Sequence, residues 1–355
     1  MMPESAPHIE RIPSSIEGRL AEVLAERRVR SRVFPRQYEQ LWESVERMAQ
    51  RGKKIRPQLL LDTYRALGGD RHRIAVDAAC AIELLHLALV VHDDVIDGDH
   101  HRRGEMNIAG AFAWDATMRG VSEHAANAWG DSTALLAGDL VLTLAHSLLA
   151  RLDLPQSQRE TVLTLFEDTV FESVAGEQHD VWLSLQIEDT DPSEVVTMAE
   201  QKTAAYSFAA PLRLAAVLAG VDATVVDELS VIGRQIGVIY QLRDDVLGVF
   251  GDPNQTGKST LSDLREGKQT LLIAYARADE AWPGVAPLFG DSRLSTSDAQ
   301  RLRDVVENSG ARLFVESLID EHCERAFGLI EEATISSALK DQLTALATRC
   351  SSRVS

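Results

Sequence analysis

The chain has 355 residues, of which 45% are apolar, 25% charged and only 5% aromatic, so it is long enough for a large core and favours helices over strands. A net charge of −18 excludes a general nucleic-acid binder and a polybasic attachment to anionic lipid, both of which need basic patches. Three widely spaced cysteines, Cys80, Cys323 and Cys350, fit neither a disulfide framework nor a zinc site and suggest a cytoplasmic protein.

Residues 1–14, with Pro3, Pro7 and Pro13, read as a flexible leader without the basic-then-apolar pattern of a secretory signal. From Ile16 onward apolar residues recur every three or four positions, as in "IEGRLAEVLAERRVRS", "QYEQLWESVERMAQ" and "VVDELSVIGRQIGVIYQLRDDVLGVFG". Gly-, Pro- and Asp-rich breaks such as "RGKKIRP", "LGGDR", "DTDPSE" and "GDPNQTGKST" separate these segments. The pattern predicts an all-α chain of roughly ten or more helices, with residues 15–355 as one domain. Residues 105–132 are the least readable stretch, mixed in period and rich in small residues. No uninterrupted run of about 18 apolar residues appears, so no membrane insertion is expected. The stretch from Gly251 to Ser259 nearly spells a P-loop. Its glycine spacing is wrong, and it follows a helical pattern rather than a strand, so nucleotide binding is not expected there.

Two acidic clusters end two apolar helical segments. In "ELLHLALVVHDDVID", Asp93 and Asp97 fall four apart on one helical face, with Asp94 three before Asp97 and His86 two turns upstream. Negative charge at a helix C-terminus opposes the macrodipole, and a hard divalent cation with oxygen ligands would offset it. The second cluster, Asp244 and Asp245, follows Gln241. Basic residues accompany both: Lys53, Lys54 and Arg56; Arg102 and Arg103; Lys202; Lys258 and Lys268. Each feature alone reads as ordinary solvated charge. Divalent metal on one side and Arg or Lys on the other is how proteins hold a diphosphate.

At these residues the sequence resembles the trans-isoprenyl diphosphate synthases, the polyprenyl synthetase family, over roughly residues 40–280. "GKKIRP", "HDDVIDGDHHRRG", "LLAGDLVL", "KTAA" and "YQLRDDVLGVFGDPNQTGKST" match its blocks in order. The resemblance implies an isoprenoid synthase type I-like bundle around a central apolar cavity, usually a homodimer. It implies head-to-tail, trans 1′-4 condensation of isopentenyl diphosphate with an allylic diphosphate, using three Mg²⁺ ions, with Mn²⁺ as a substitute. Carried over, Asp93, Asp94, Asp97, Asp244 and Asp245 would be the metal residues. Lys53, Arg56, His86 and Arg103 would hold isopentenyl diphosphate; Arg102, Lys202, Thr203, Gln241, Lys258 and Lys268 would hold the allylic diphosphate. Asp93, Asp94, Asp97, Arg102, Lys202, Asp244 and Lys258 would take part in the chemistry. Two departures stand out: Gly248 replaces the third Asp of the second acidic motif, and "EMNIAGAF" replaces the usual sequence after R-R-G.

Product length should follow from what closes the cavity below the acids. Leu89 and Ala88 lie roughly 6–7.5 Å below Asp93 along a helix, with Leu85 and Leu84 a turn deeper. Bulky aromatics at this level stop the chain early in relatives; Ala88 and Leu89 point instead to a C20 product, geranylgeranyl diphosphate, or to C25 and above. A terpene cyclase would need an N/D-D-x-x-S/T-x-x-x-E box that "RDDVLGVFGD" does not provide. A non-catalytic partner subunit would be expected to lack acids of the first cluster.

Overall fold

The computed structural model describes residues 15–102, 104–185, 190–251, 262–291 and 293–353. The leader expected over 1–14, the near-P-loop after Gly251, Arg103 and Lys258 lie outside the described residues. Helices α1 (Ile16–Ser31), α2 (Arg36–Ala49), α3 (Ile55–Ala66) and α4 (His72–Ile96) come first, followed by a small ribbon of β1 (His101–Arg102) and β2 (Glu105–Met106). Then follow α5 (Ile108–Met118), α6 (Glu123–Ala150), α7 (Gln156–Ser184), α8 (Pro192–Ala199), a π-helical segment (Glu200–Ala209), α9 (Ala210–Ala219) and α10 (Ala223–Phe250). The remainder is helical as well: α11 (Ser262–Glu266), α12 (Leu271–Ala276), two short 3₁₀ turns, α13 (Thr296–Asn308), α14 (Ala311–Glu332) and α15 (Ser337–Ser351).

The all-α expectation therefore holds apart from the two-residue antiparallel ribbon, in which His101 faces Met106 and Arg102 faces Glu105. The unreadable stretch 105–132 resolves into β2, α5 and the start of α6. Its small residues let α5 pack closely on α6, which blurs the amphipathic period. Asn107 starts α5 by accepting a hydrogen bond from the Gly110 amide at 2.9 Å and donating to the Asp99 carbonyl at 2.6 Å.

The core forms two apolar clusters. One joins α1–α4 with α6 and α7, including Leu24, Leu60, Leu84, Leu85, Ala88 and Leu149. The other is centred on α10, whose Leu229, Ile232, Ile236, Ile239 and Leu242 are buried against the π-helical segment, α14 and α15. By length and composition α4 and α6 are apolar enough to cross a membrane, because averaging hydropathy tolerates isolated polar residues. In α4 that apolar stretch is mostly buried inside the protein.

Two local features place the functional residues. Helix α4 ends in a Schellman turn: Gly98, at φ +70°, follows the C-cap Asp97, and the Asp99 and Gly98 amides bond back to the carbonyls of Asp94 (2.8 Å) and Val95 (3.3 Å). The stop puts Asp93, Asp94 and Asp97 in the last turn and aims the chain into the ribbon. The second feature is the rod from Pro192 to Ala219, which switches to π geometry over Glu200–Ala209 just before Pro211. Proline has no amide for the next α-helical bond, and π segments recur at functional sites because they re-aim side chains.

Candidate active site

The π-helical segment packs on α10 and α7 and also touches α4, whereas α4 and α10 pack chiefly on other helices rather than on each other. From it Lys202 reaches the end of α4, where its Nζ lies 3.1 Å from Asp93 Oδ1. The same ammonium meets two acids of α7, Asp180 at 2.6 Å and Glu177 at 3.0 Å. Burial disfavours the charge on Lys202, but Asp180, Asp93 and Glu177 outweigh it and hold its pKa well above the usual lysine value. α7 comes this close because residue 176 is glycine: a Cβ there would lie 2.2 Å from the Lys202 backbone nitrogen.

The ribbon turns Arg102 back over the same acids. Its Nε donates to Asp94 Oδ1 at 2.6 Å and its Nη2 to Asp93 Oδ2 at 2.9 Å. The three acids therefore differ. Burial pushes Asp93 up, but Lys202, Lys268 and Arg102 together hold it below the ordinary carboxylate range. Asp94 is fully buried and has one cation, so burial prevails and raises it to about 6. Asp97 stays reachable from solvent at the rim, yet the surrounding protein and then Asp93 push it up to about 6 as well. The charge of half-buried Lys268, which follows α11, reaches Asp93, Asp97 and Asp99, so the segment beyond the second acidic helix returns to the first cluster.

In the second cluster Gln241 donates to buried Asp245 at 2.8 Å. Asp244 receives the guanidinium of Arg353 at 2.9 Å, and Arg353 also lies 4.6 Å from the centre of the Tyr240 ring. Gly248 lies one turn beyond Asp244 and is half-buried.

A further corner forms two turns back along α4. His86 Nδ1 lies 3.2 Å from Tyr206 Oη, and Arg56 donates to Ser207 Oγ at 2.9 Å and to Tyr206 Oη at 3.3 Å. The Arg56 guanidinium also lies 4.9 Å from the Tyr206 ring centre. α4 and the π-helical segment thus run antiparallel past each other, pairing His86 with Tyr206 at one level and Asp93 with Lys202 at the next. Those levels are about 10 Å apart, from seven residues of helical rise. Lys53 is exposed beside this corner, and Thr203 is half-buried next to Lys202. Of the four chain-length candidates, Leu84, Leu85 and Ala88 are wholly buried, while Leu89 is half-exposed.

Sequence reasoning missed Glu177, Asp180, Tyr206, Ser207 and Arg353. Glu177 and Asp180 did carry a signal, an i, i+3 acid pair directly after Gly176. Arg353 lies 109 residues from its partner and carried none.

The donor chemistry suits Mg²⁺: these are hard carboxylate oxygens, two of them raised chiefly by burial, which a divalent cation would offset. Among the described residues no group of three or more acidic, His or Cys side chains forms a closed cage.

A mostly helical fold that gathers carboxylates at the end of α4 beside Lys and Arg side chains is the arrangement the resemblance to the trans-isoprenyl diphosphate synthases leads one to expect. A sequence model of the polyprenyl synthetase family matches residues 38–299. The chain is 32% identical over 312 residues to a (2E,6E)-farnesyl diphosphate synthase of Mycobacterium tuberculosis, covering 83% of this chain and 78% of that one. It is 30% identical over 296 residues to a geranylfarnesyl diphosphate synthase of Aeropyrum pernix, covering 82% and 87%. The crystal structure of a geranylgeranyl pyrophosphate synthase from Corynebacterium glutamicum, complexed with isoprenyl diphosphate and magnesium, superposes with a TM-score of 0.88 at 28% identity, covering 98% of this chain and all of that one. The chain belongs to the polyprenyl synthetase family and is a trans-prenyl diphosphate synthase, an enzyme class that is generally Mg²⁺-dependent.

Proposed function

We propose that the enzyme condenses isopentenyl diphosphate with an allylic diphosphate to give geranylgeranyl diphosphate. The observation that supports this reading is that α4 and the π-helical segment carry two separate polar levels, Asp93–Lys202 and His86–Tyr206, the second joined by Arg56 of α3, so that two diphosphates could be held apart. Lys202, Arg102 and Lys268, with Thr203, Gln241 and Lys258, hold the allylic diphosphate; Lys53, Arg56, His86 and Arg103 hold the isopentenyl one. Asp93, Asp97 and Asp244, supported by Asp94 and Asp245, would hold three Mg²⁺ ions, which would supply positive charge to the leaving diphosphate.

In this reading Lys202 and Arg102 serve ionisation of the allylic C–O bond. As that bond breaks, charge concentrates on the departing oxygens, and Lys202 and Arg102 stabilise it from fixed positions. The allylic cation forms above a wall of Leu, Ala and Val that excludes water, so the isopentenyl double bond reaches it first. The released diphosphate takes the final proton, and no separate side-chain base is required.

The C20 assignment rests on Leu89 and Ala88, which leave the turn below Asp93 without an aromatic stop. It is supported by the similarity to the geranylgeranyl pyrophosphate synthase structure. We also propose a homodimer. Trp114, Met118, Leu136, Phe171 and Val174 of α5–α7 are more than half exposed, which is unusual for large apolar side chains and suits a second copy of the chain. Incubation of purified protein with radiolabelled isopentenyl diphosphate, each allylic starter and Mg²⁺, followed by sizing of the dephosphorylated products, tests the assignment. A C20 alcohol supports it, and a C15 or C25 product replaces it.

A further inference from the structure

Lys54 is the one non-glycine residue with positive φ among the described residues, at φ 50° and ψ 39°. It is the N-cap of α3 and stands between Lys53 and Arg56. The Cβ of an L-residue is crowded against the following carbonyl there, and glycine or asparagine would fit the backbone better. A lysine at such a position is there for its side chain.

That side chain runs inward rather than to solvent. Its Nζ lies 2.9 Å from Glu83 Oε1, 2.6 Å from the carbonyl of Ala49, the last residue of α2, and 2.5 Å from the carbonyl of Arg51. The three donors of the ammonium are thereby all used. Both side chains of the pair are buried, at 9% and 10% exposure. Buried ion pairs contribute little net stability because desolvation offsets the attraction, and in some proteins their role is to fix geometry. Glu83 lies one turn before His86 on α4, so the bond ties the start of α3, with Lys53 just before it and Arg56 in its first turn, to the helix bearing His86.

We propose that Lys54 and Glu83 form a clasp that positions Lys53 and Arg56 relative to His86 for isopentenyl diphosphate. Neither clasp residue touches that substrate; both act through the residues they place. The inference rests on the reading of the His86–Arg56 corner as the isopentenyl diphosphate site.

The test uses Lys54→Gly, Lys54→Met and Glu83→Gln in the full chain. Lys54→Gly is the sharpest, because it relaxes the backbone while removing the clasp. Two quantities are measured: KM for each substrate with kcat, and calorimetric binding of isopentenyl diphosphate alone, which does not react without an allylic partner. Each variant is expected to raise KM for isopentenyl diphosphate about 10-fold, with allylic KM and kcat changed by no more than about 2-fold. Lys54→Arg should restore most of the binding. A Lys54→Gly or Glu83→Gln enzyme with unchanged isopentenyl KM overturns the clasp, as does an equal rise in both KM values. Lys53→Ala and Arg56→Ala separate this failure from that of the site reading. If they too leave isopentenyl KM unchanged, the corner itself is misassigned. If they raise it while the clasp variants do not, only the clasp fails.

Discussion

Lys202 and Asp93 are 109 residues apart in sequence and 3.1 Å apart in the fold, and the same ammonium binds Glu177 and Asp180 of α7. One cation therefore joins three helical elements at the point where negative charge is densest. Lys202→Ala removes that cation from three carboxylates and, on the proposed reading, from the allylic diphosphate. It should lower kcat by about 10²-fold, the scale of losing one fixed donor to a leaving group, with a small change in KM for isopentenyl diphosphate. Gly176→Ala should move the same way without touching the charge. Its Cβ would meet backbone that cannot yield, so Lys202 shifts and stability falls by about 1–3 kcal/mol. Steady-state kinetics and thermal melts check both.

The raised carboxyls predict how Mg²⁺ binding depends on pH. Without metal, Asp94 and Asp97 titrate near 6 in the folded protein against a reference value of 3.8. Between those values the folded state holds more protons than the unfolded chain, so their contribution to stability is greatest below the reference value and disappears as pH rises through about 6. Mg²⁺ needs the deprotonated form. The rise in Tm on adding Mg²⁺ should therefore be larger at pH 7.5 than at pH 5, as differential scanning fluorimetry at both values would show.

Much of the site was legible because its chemistry is local. Asp93, Asp94, Asp97 and Arg102 lie within ten residues, and a helix with a turn after it is enough to bring them together. Asp244, Asp245 and Gln241 share one helical turn and were equally visible. What could not be read were contacts made by tertiary packing alone. Tyr206 bridges Arg56 and His86 only because the π-helical segment touches both α3 and α4, and propensity gives no warning of a π segment. Arg353 reaches Asp244 only through the path of α15. Helix α5 was obscured for a different reason: its close packing on α6 requires small residues, which erase the apolar stripe.

Arg353 suggests a prediction of its own. Its guanidinium neutralises Asp244, the same carboxylate assigned to a metal ion. Arg353→Ala should remove that competition and lower the Mg²⁺ concentration giving half-maximal activity by a few-fold, on the order of what a partly exposed ion pair contributes. A magnesium titration of activity at fixed substrate checks it; an unchanged midpoint would show that Arg353 leaves Asp244 at no cost.

Product length should respond to Leu89 before Ala88. Leu89 is only partly buried at the edge of the core, so Leu89→Phe displaces fewer packed neighbours and should shift the product toward C15. Ala88 is wholly buried, so Ala88→Phe must first displace packed neighbours, with an expected loss of about 1–3 kcal/mol and shortening only if the ring is forced out of the core. Radio-chromatography of both variants separates the two positions, and unchanged length in both would remove this turn from the cavity floor.

The most direct measurement is a crystal of the enzyme soaked with Mg²⁺ and inorganic pyrophosphate. Pyrophosphate should lie between the end of α4 and the π-helical segment, with magnesium on Asp93, Asp97 and Asp244 and with Lys202 and Arg102 on the phosphate oxygens. Pyrophosphate bound elsewhere, or magnesium absent from the end of α4, would contradict the account.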